Sequence, residues 1–160
     1  MSFEIRSATR EDTGEVLRLI AELARYEKLE HMAVGTEAEL ATALFGPRPA
    51  CEALVAERDG RAVGFALFFT TFSTFLCKPG LYLEDLFVEP AHRGAGVGKA
   101  LLRRLAGLCV ERGCGRFEWM VLHWNTHAIN FYERLGAKRM SDWLLYRLDR
   151  EGLLRLNDAG

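Results

Sequence analysis

Apolar and polar residues alternate over residues 3–8, the period of a strand with one buried face. Thr9-Arg10-Glu11-Asp12 then has the [ST]-x-x-[DE] form of a capping box. Val16, Leu19, Ile20, Leu23 and Ala24 follow at helical spacing and predict a helix to about Tyr26. A second, weaker helix spans residues 36–45 and stops at Gly46-Pro47-Arg48-Pro49. Two strands, 51–57 and 62–71, flank Arg58-Asp59-Gly60-Arg61, and an Asp-Gly pair between apolar runs marks a hairpin. Residues 72–80 read as a loop and 81–88 as a strand. The helix predicted over 97–112 carries Val97, Leu101, Leu105, Leu108 and Cys109 on one stripe and ends at Gly113. A strand over 116–122, a helix over 126–135 and a last strand over 138–148 complete the order β-α-α-β-β-β-α-β-α-β. Strands alternating with helices in the second half predict an α/β (mixed α+β) fold, a mixed sheet covered by helices.

Composition narrows the partners. The 160 residues fit one domain, 1–160, with no linker, repeat or low-complexity stretch. A net charge of −1 and no basic run leave no electrostatic footprint for nucleic acid. The longest apolar stretch, 63–69, is too short to span a membrane, and the charged start of the chain does not read as a signal peptide. Cys51, Cys77, Cys109 and Cys114 form no C-x-x-C pair and read as reduced thiols of a cytoplasmic protein. His123 and His127 lie four apart, but Trp124-Asn125-Thr126 reads as a turn that breaks a shared helical face, so no metal is expected.

The segment from Val88 to Lys99 is the most informative. A strand leads through a short loop to Arg93-Gly94-Ala95-Gly96-Val97-Gly98-Lys99, and an apolar helix follows at once. Glycines at a helix start let backbone N–H groups approach an anion closely, and Arg93 adds positive charge beside that nest. A Walker A loop is excluded because Gly98-Lys99 is followed by Ala100 and Arg93 stands where its first glycine belongs. A Rossmann fingerprint is excluded by the G-x-G-x-G spacing and the preceding loop. The plain alternative, a turn that only caps a helix, needs one glycine rather than three and an arginine.

The R-x-x-G-x-G pattern resembles the coenzyme A pyrophosphate loop of the GCN5-related N-acetyltransferases (GNAT). Asn125 with Ala128, Phe131, Tyr132, Gly136 and Ala137 is similar to that family's N-x-x-A-x-x-F-Y-x-x-x-G-A signature. Leu23-Ala24-Arg25-Tyr26-Glu27 and Tyr82-Leu83-Glu84-Asp85 resemble its spermidine/spermine and thialysine N-acetyltransferase subfamily. The resemblance implies a splayed central sheet of about 6–7 strands flanked by about four helices, acetyl-CoA as cosubstrate and a homodimer. It also implies a coenzyme site of Leu86, Phe87, Val88, Arg93 to Lys99, Asn125, Asn130 and Tyr132.

The chemistry asks for particular groups. An alkylammonium with pKa ~10.4 is free amine only on the order of once in a thousand at pH 7, so a base must take its proton. The thioester oxygen needs hydrogen-bond donors and the departing thiolate an acid. Glu84, set on the strand face opposite Leu83 and Asp85, is the candidate base; its plain alternative is an exposed strand residue or ion-pair partner. Tyr132, protonated at neutral pH, is the candidate acid, and from pattern alone a packing aromatic is the commoner reading. The resemblance places Tyr132 at the coenzyme sulfur, Glu84 at the amine, and the oxyanion donors on the backbone of Leu86 to Val88 beside a β-bulge. Asn125 reads equally as a coenzyme contact or as a turn residue ahead of a helix.

Tyr26, Glu27, Glu84 and Asp85 are expected around the amine. Phe72-Ser73-Thr74-Phe75 stands where polyamine-type members carry Y-D-P-W, and His123 stands where they carry an acidic residue. The expectation is therefore an acetyl-CoA-dependent N-acetyltransferase acting on a diamine or a lysine-like amino acid by direct attack in a ternary complex. The alternatives are a peptide or protein amine as acceptor, or a catalytically silent acyl-CoA-binding domain.

Overall fold

The Asp-Gly hairpin forms as predicted. Asp59 and Gly60 both take positive φ, 52° and 76°, and join β2 (Glu52–Arg58) to β3 (Arg61–Ser73). The structure, a computed structural model, describes residues 2–159. The chain divides into two compact units, Met1–Met120 and Val121–Gly160.

The first unit holds a five-stranded sheet in the order β1-β2-β3-β4-β5. β1 (Glu4–Ser7), β2, β3 and β4 (Lys78–Val88) pair antiparallel, and β5 (Arg116–Trp119) joins β4 in parallel. Helices α1 (Thr13–Glu27) and α2 (Glu37–Phe45) cover one face. Val16, Leu19, Leu23 and Leu44 pack there against Ala53, Val55, Phe65, Leu67 and Phe87. Helix α3 (Val97–Glu111) lies on the other face, packed on all five strands. It buries Val97, Leu101, Leu102, Leu105 and Cys109, close to the predicted stripe. Each large side chain so buried contributes on the order of 1.5–3 kcal/mol, which holds the sheet between its helices.

The second unit holds α4 (Thr126–Arg134) and α5 (Arg150–Asp158). Residues 138–148 are not the predicted strand. None of the five strands pairs with them, and an unpaired strand leaves its N–H and C=O groups without a ladder. Trp143, Leu144 and Tyr146 of that segment are exposed. Helix α5 was not expected; the Asp149 carboxylate accepts from the Gly152 N–H at 2.8 Å and starts it.

Two boundaries also move. β3 and β4 run on to Ser73 and back from Lys78, so the predicted loop 72–80 shrinks to residues 74–77. The strand predicted over 116–122 ends at Trp119. The described residues thus hold five strands rather than about 6–7, and five α-helices rather than about four. None of those helices is long and apolar enough to cross a membrane.

Candidate active site

Strand β4 carries an extra residue. Leu67 of β3 lies opposite Asp85, yet the next residue, Phe68, lies opposite Leu83. Glu84 is therefore the inserted residue of a β-bulge, the feature that exposes backbone groups and re-aims side chains. The bulge corrects one expectation: Leu83 and Asp85 do not share a face. Asp85 shares Leu67's face, toward α1 and α2, while Leu83 shares that of Phe68. Cys51 packs on the α1–α2 side, and Glu84 is one of the charges acting on its thiol, after burial and Glu52. The Glu84 carboxylate accordingly sits near that same side.

Three carboxylates converge there. Burial, then the charges of Glu84 and Glu27, push Asp85 up to about 6. Burial likewise raises Glu27, at the last residue of α1. Such a cluster gains a favourable partner when a cation arrives between its members. Among the described residues, no three His, Cys, Asp or Glu side chains are arranged to hold a metal ion.

Below the bulge the sheet opens. β4 pairs with β5 only from Gly80 to Leu83, opposite Arg116 to Trp119, and onward only with β3. The Glu89 N–H donates to the Val63 carbonyl at 2.9 Å. Alternation along an antiparallel ladder then turns the backbone of Phe87 toward Phe65, and the backbones of Leu86 and Val88 toward the open side. Of the three residues expected to supply donors, Leu86 and Val88 point their N–H groups into the splay. Phe87 instead places its side chain in the core.

The glycine loop is shaped as a cradle. Gly94 and Gly96 take φ of 80° and 84°, and a Cβ on either would meet nothing within 4 Å. Gly96 starts α3 with no side-chain cap, so the first N–H groups of Val97, Gly98 and Lys99 point beyond the helix end. Ala95 and Lys99 are exposed beside them. Arg93 folds back onto the strand side: its guanidinium stacks 4.9 Å from the Tyr26 ring and 5.5 Å from Phe87, and Nε donates to the Val88 carbonyl at 2.9 Å. It ties the loop to the end of α1, beside Glu27.

Sequence reasoning missed Glu89, just before this loop. Its carboxylate is buried and accepts from Arg18 Nη1 at 2.7 Å and Arg61 Nη2 at 3.0 Å. His92 Nε2 lies 3.6 Å away. The network fixes the loop's first residues to α1 and the β2–β3 hairpin, and a buried carboxylate held this way is costly to unpair. The only local signal is an acid set directly before proline at a strand end. Ser73 also has a place of its own. It is buried, and its hydroxyl accepts from the Leu76 N–H at 3.3 Å, so it holds the β3–β4 turn.

In the second unit, the signature residues cap a helix at both ends. The Asn125 side chain accepts from the Ala128 N–H at 3.3 Å, which makes it the N-cap of α4. Gly136 takes φ 90°, and the N–H groups of Gly136 and Ala137 donate to Glu133 and Tyr132. Asn, Ala, Gly and Ala of the motif are thereby explained as architecture. Tyr132 sits in the last turn, half-buried, its ring 5.4 Å from that of Phe131. Asn130 is exposed.

Comparison with known proteins agrees with this geometry. The profile of the acetyltransferase (GNAT) family matches residues 18–137. The chain is 35% identical to the thialysine N-epsilon-acetyltransferase of Mus musculus, covering 97% of both. It is 33% identical to the L-ornithine N5-acetyltransferase of Arabidopsis thaliana, over 96% of this chain and 87% of that protein. An integron cassette protein from the mobile metagenome of V. cholerae superposes with a TM-score of 0.84, at 28% identity and 99% coverage of both chains. The uncapped glycine cradle, the bulged and splayed β4 and the doubly capped tyrosine helix thus have one common explanation: this chain belongs to the acetyltransferase (GNAT) family and is an N-acetyltransferase.

Proposed function

We propose that the chain transfers an acetyl group from acetyl-CoA to the terminal amine of a small cation, a diamine or a lysine-like amino acid. The observation that carries this reading is the carboxylate cluster of Glu27, Glu84 and Asp85 at the β4 bulge. The names of the thialysine and ornithine relatives support the substrate class, since both acceptors are amino acids ending in a primary amine.

Acetyl-CoA, when bound, supplies an activated thioester. The residues that would hold it are Arg93 to Lys99 through their backbone, with Gly94 and Gly96 giving the close approach, and Leu86 and Val88 of the splay. Asn125 and Asn130 complete the expected contacts. Glu84 takes the ammonium proton, directly or through water, and Tyr132 donates its hydroxyl proton to the thiolate that leaves. Glu27, Asp85 and Tyr26 hold and orient the cation. Attack is direct, with no acetyl-enzyme. The reading takes both units as one acetyltransferase domain, working as a homodimer in the cytoplasm.

The test is thiol release at fixed acetyl-CoA with a panel of ornithine, thialysine, a short diamine, spermine and an N-terminal peptide. The expected order puts the short amines level with or above spermine, because the chain has no acid at Ser73 or His123 for further ammonium groups. Each such group gains under ~1 kcal/mol in an exposed cleft. Spermine or the peptide winning tenfold overturns the substrate class.

A further inference from the structure

The far end of α3 carries a pair of side chains that acetyl transfer does not use. After Glu111 and Arg112, Gly113 takes φ 66°. The Gly113 N–H donates to the Val110 carbonyl at 3.1 Å, and the Cys114 N–H to the Cys109 carbonyl at 2.8 Å. These are the two bonds of a Schellman ending, which brings the side chain two positions past the helix against the one in its last turn. That contact is ordinarily apolar. Here both partners are cysteines, and Cys114 adds to the burial that raises the Cys109 thiol, as a near neighbour does. Both are free thiols, Cys109 buried and Cys114 half-buried. Cysteines that a Schellman ending sets against each other meet the first condition for bonding, side chains that converge.

We propose that Cys109 and Cys114 form a dithiol–disulfide modification site, oxidised by a small disulfide of the glutathione class and reopened by excess thiol. The Cys114 thiolate, the more accessible, attacks one sulfur of the small disulfide; the mixed disulfide forms and one small thiolate leaves. The Cys109 thiolate then attacks Cys114 Sγ, the intramolecular S–S bond forms, and the second small thiolate leaves. The two cysteines lose two protons and two electrons, and the oxidant gains both as two thiols. Burial pushes the Cys109 thiol up to about 11, so the closing step is the slow one and quickens as pH rises. The site lies a helix length from Gly96, about 20 Å at 1.5 Å per residue, so the glycine cradle keeps its shape in both states.

The experiment uses the full chain incubated with oxidised glutathione, blocked at its remaining thiols and digested with trypsin, which cuts after Arg112 between the two cysteines. The expected product is a single disulfide-linked pair of peptides carrying Cys109 and Cys114, falling apart on reduction. Exposed Cys77 carries at most a glutathione adduct. In Cys109→Ala, Cys114 should stop at the mixed glutathione adduct. In Cys114→Ser, Cys109 should stay unmodified, shielded by its burial, and acetylation should match the parent. Recovery of Cys114 from the parent as a stable glutathione adduct, with Cys109 still open to blocking, overturns the proposal. So does modification of Cys109 in Cys114→Ser as readily as in the parent.

Discussion

Helices α3 and α4 end alike and begin differently. Each closes on a left-handed glycine, Gly113 or Gly136, with the same pair of reversed hydrogen bonds. At the start, α4 is finished by its own chain, because the Asn125 side chain accepts from the Ala128 N–H. α3 begins on Gly96 with no cap. A side-chain cap stabilises a helix by about 1 kcal/mol, and α3 goes without it. The difference separates two helix starts: α4 is completed by its own chain, whereas α3 leaves its first donors without a side-chain partner, as the proposed coenzyme site requires.

The sharpest way to break that comparison is Tyr132→Phe. If α4 exists to hold a catalytic hydroxyl, kcat should fall on the order of 10²–10⁴ while acetyl-CoA affinity stays nearly intact. Steady-state kinetics that leave kcat near normal would return α4 to a purely structural role.

Gly96→Asp tests the other helix start. A carboxylate in the open space of the cradle should weaken acetyl-CoA binding at least tenfold, about 1.4 kcal/mol. Calorimetry on a folded variant with unchanged affinity would remove the phosphate assignment.

The same logic of a group left for a ligand applies to Asp85. Its carboxyl is raised from 3.8 to about 6, so the ionised form costs the folded state stability. That cost is absent while the carboxyl is protonated in both folded and unfolded chains. It grows as pH rises from about 4 to about 6, and is complete above. Asp85→Asn should therefore stabilise the protein at neutral pH by on the order of 1–2 kcal/mol and weaken amine binding. The gain should vanish in acid, which denaturant melts across pH would reveal. In the parent, amine affinity should fall as pH drops through about 6.

The smallest effect separates Asn125's two readings. Asn125→Ala should cost about 1 kcal/mol of stability, while Asn125→Asp keeps the capping oxygen and should cost under ~0.5. If the amide also touches the coenzyme, Asn125→Asp alone should raise the acetyl-CoA Kd severalfold. An unchanged Kd leaves Asn125 a cap only.

Local chemistry carried most of the fold. The Asp59-Gly60 turn, the Thr9–Asp12 capping box and the α3 stripe are each decided within a few residues, and all stand where their residues predict. The bulge at Glu84 is not local: it exists because β3 supplies one residue fewer across the ladder, and the odd spacing of Leu81, Leu83, Asp85 and Phe87 hides it. Two adjacent acids within an apolar strand were its one visible sign. Residues 138–148 alternate like a strand, but alternation states which face would be buried and not whether an edge exists to pair with. Glu89 was missed for a similar reason, since its partners Arg18 and Arg61 are distant in sequence.

The splay of β4 has a consequence for amide hydrogen exchange. Leu86 and Val88 are half-buried within a central strand, yet among the described residues their N–H groups have no strand partner, while that of Phe87 between them faces β3. Protection along this stretch should follow a sawtooth, with Phe87 exchanging as slowly as the core and its two neighbours as fast as a surface loop. A ligand acceptor that takes hydrogen bonds from those two amides would flatten the sawtooth. The strand would then report, residue by residue, when the cleft is filled.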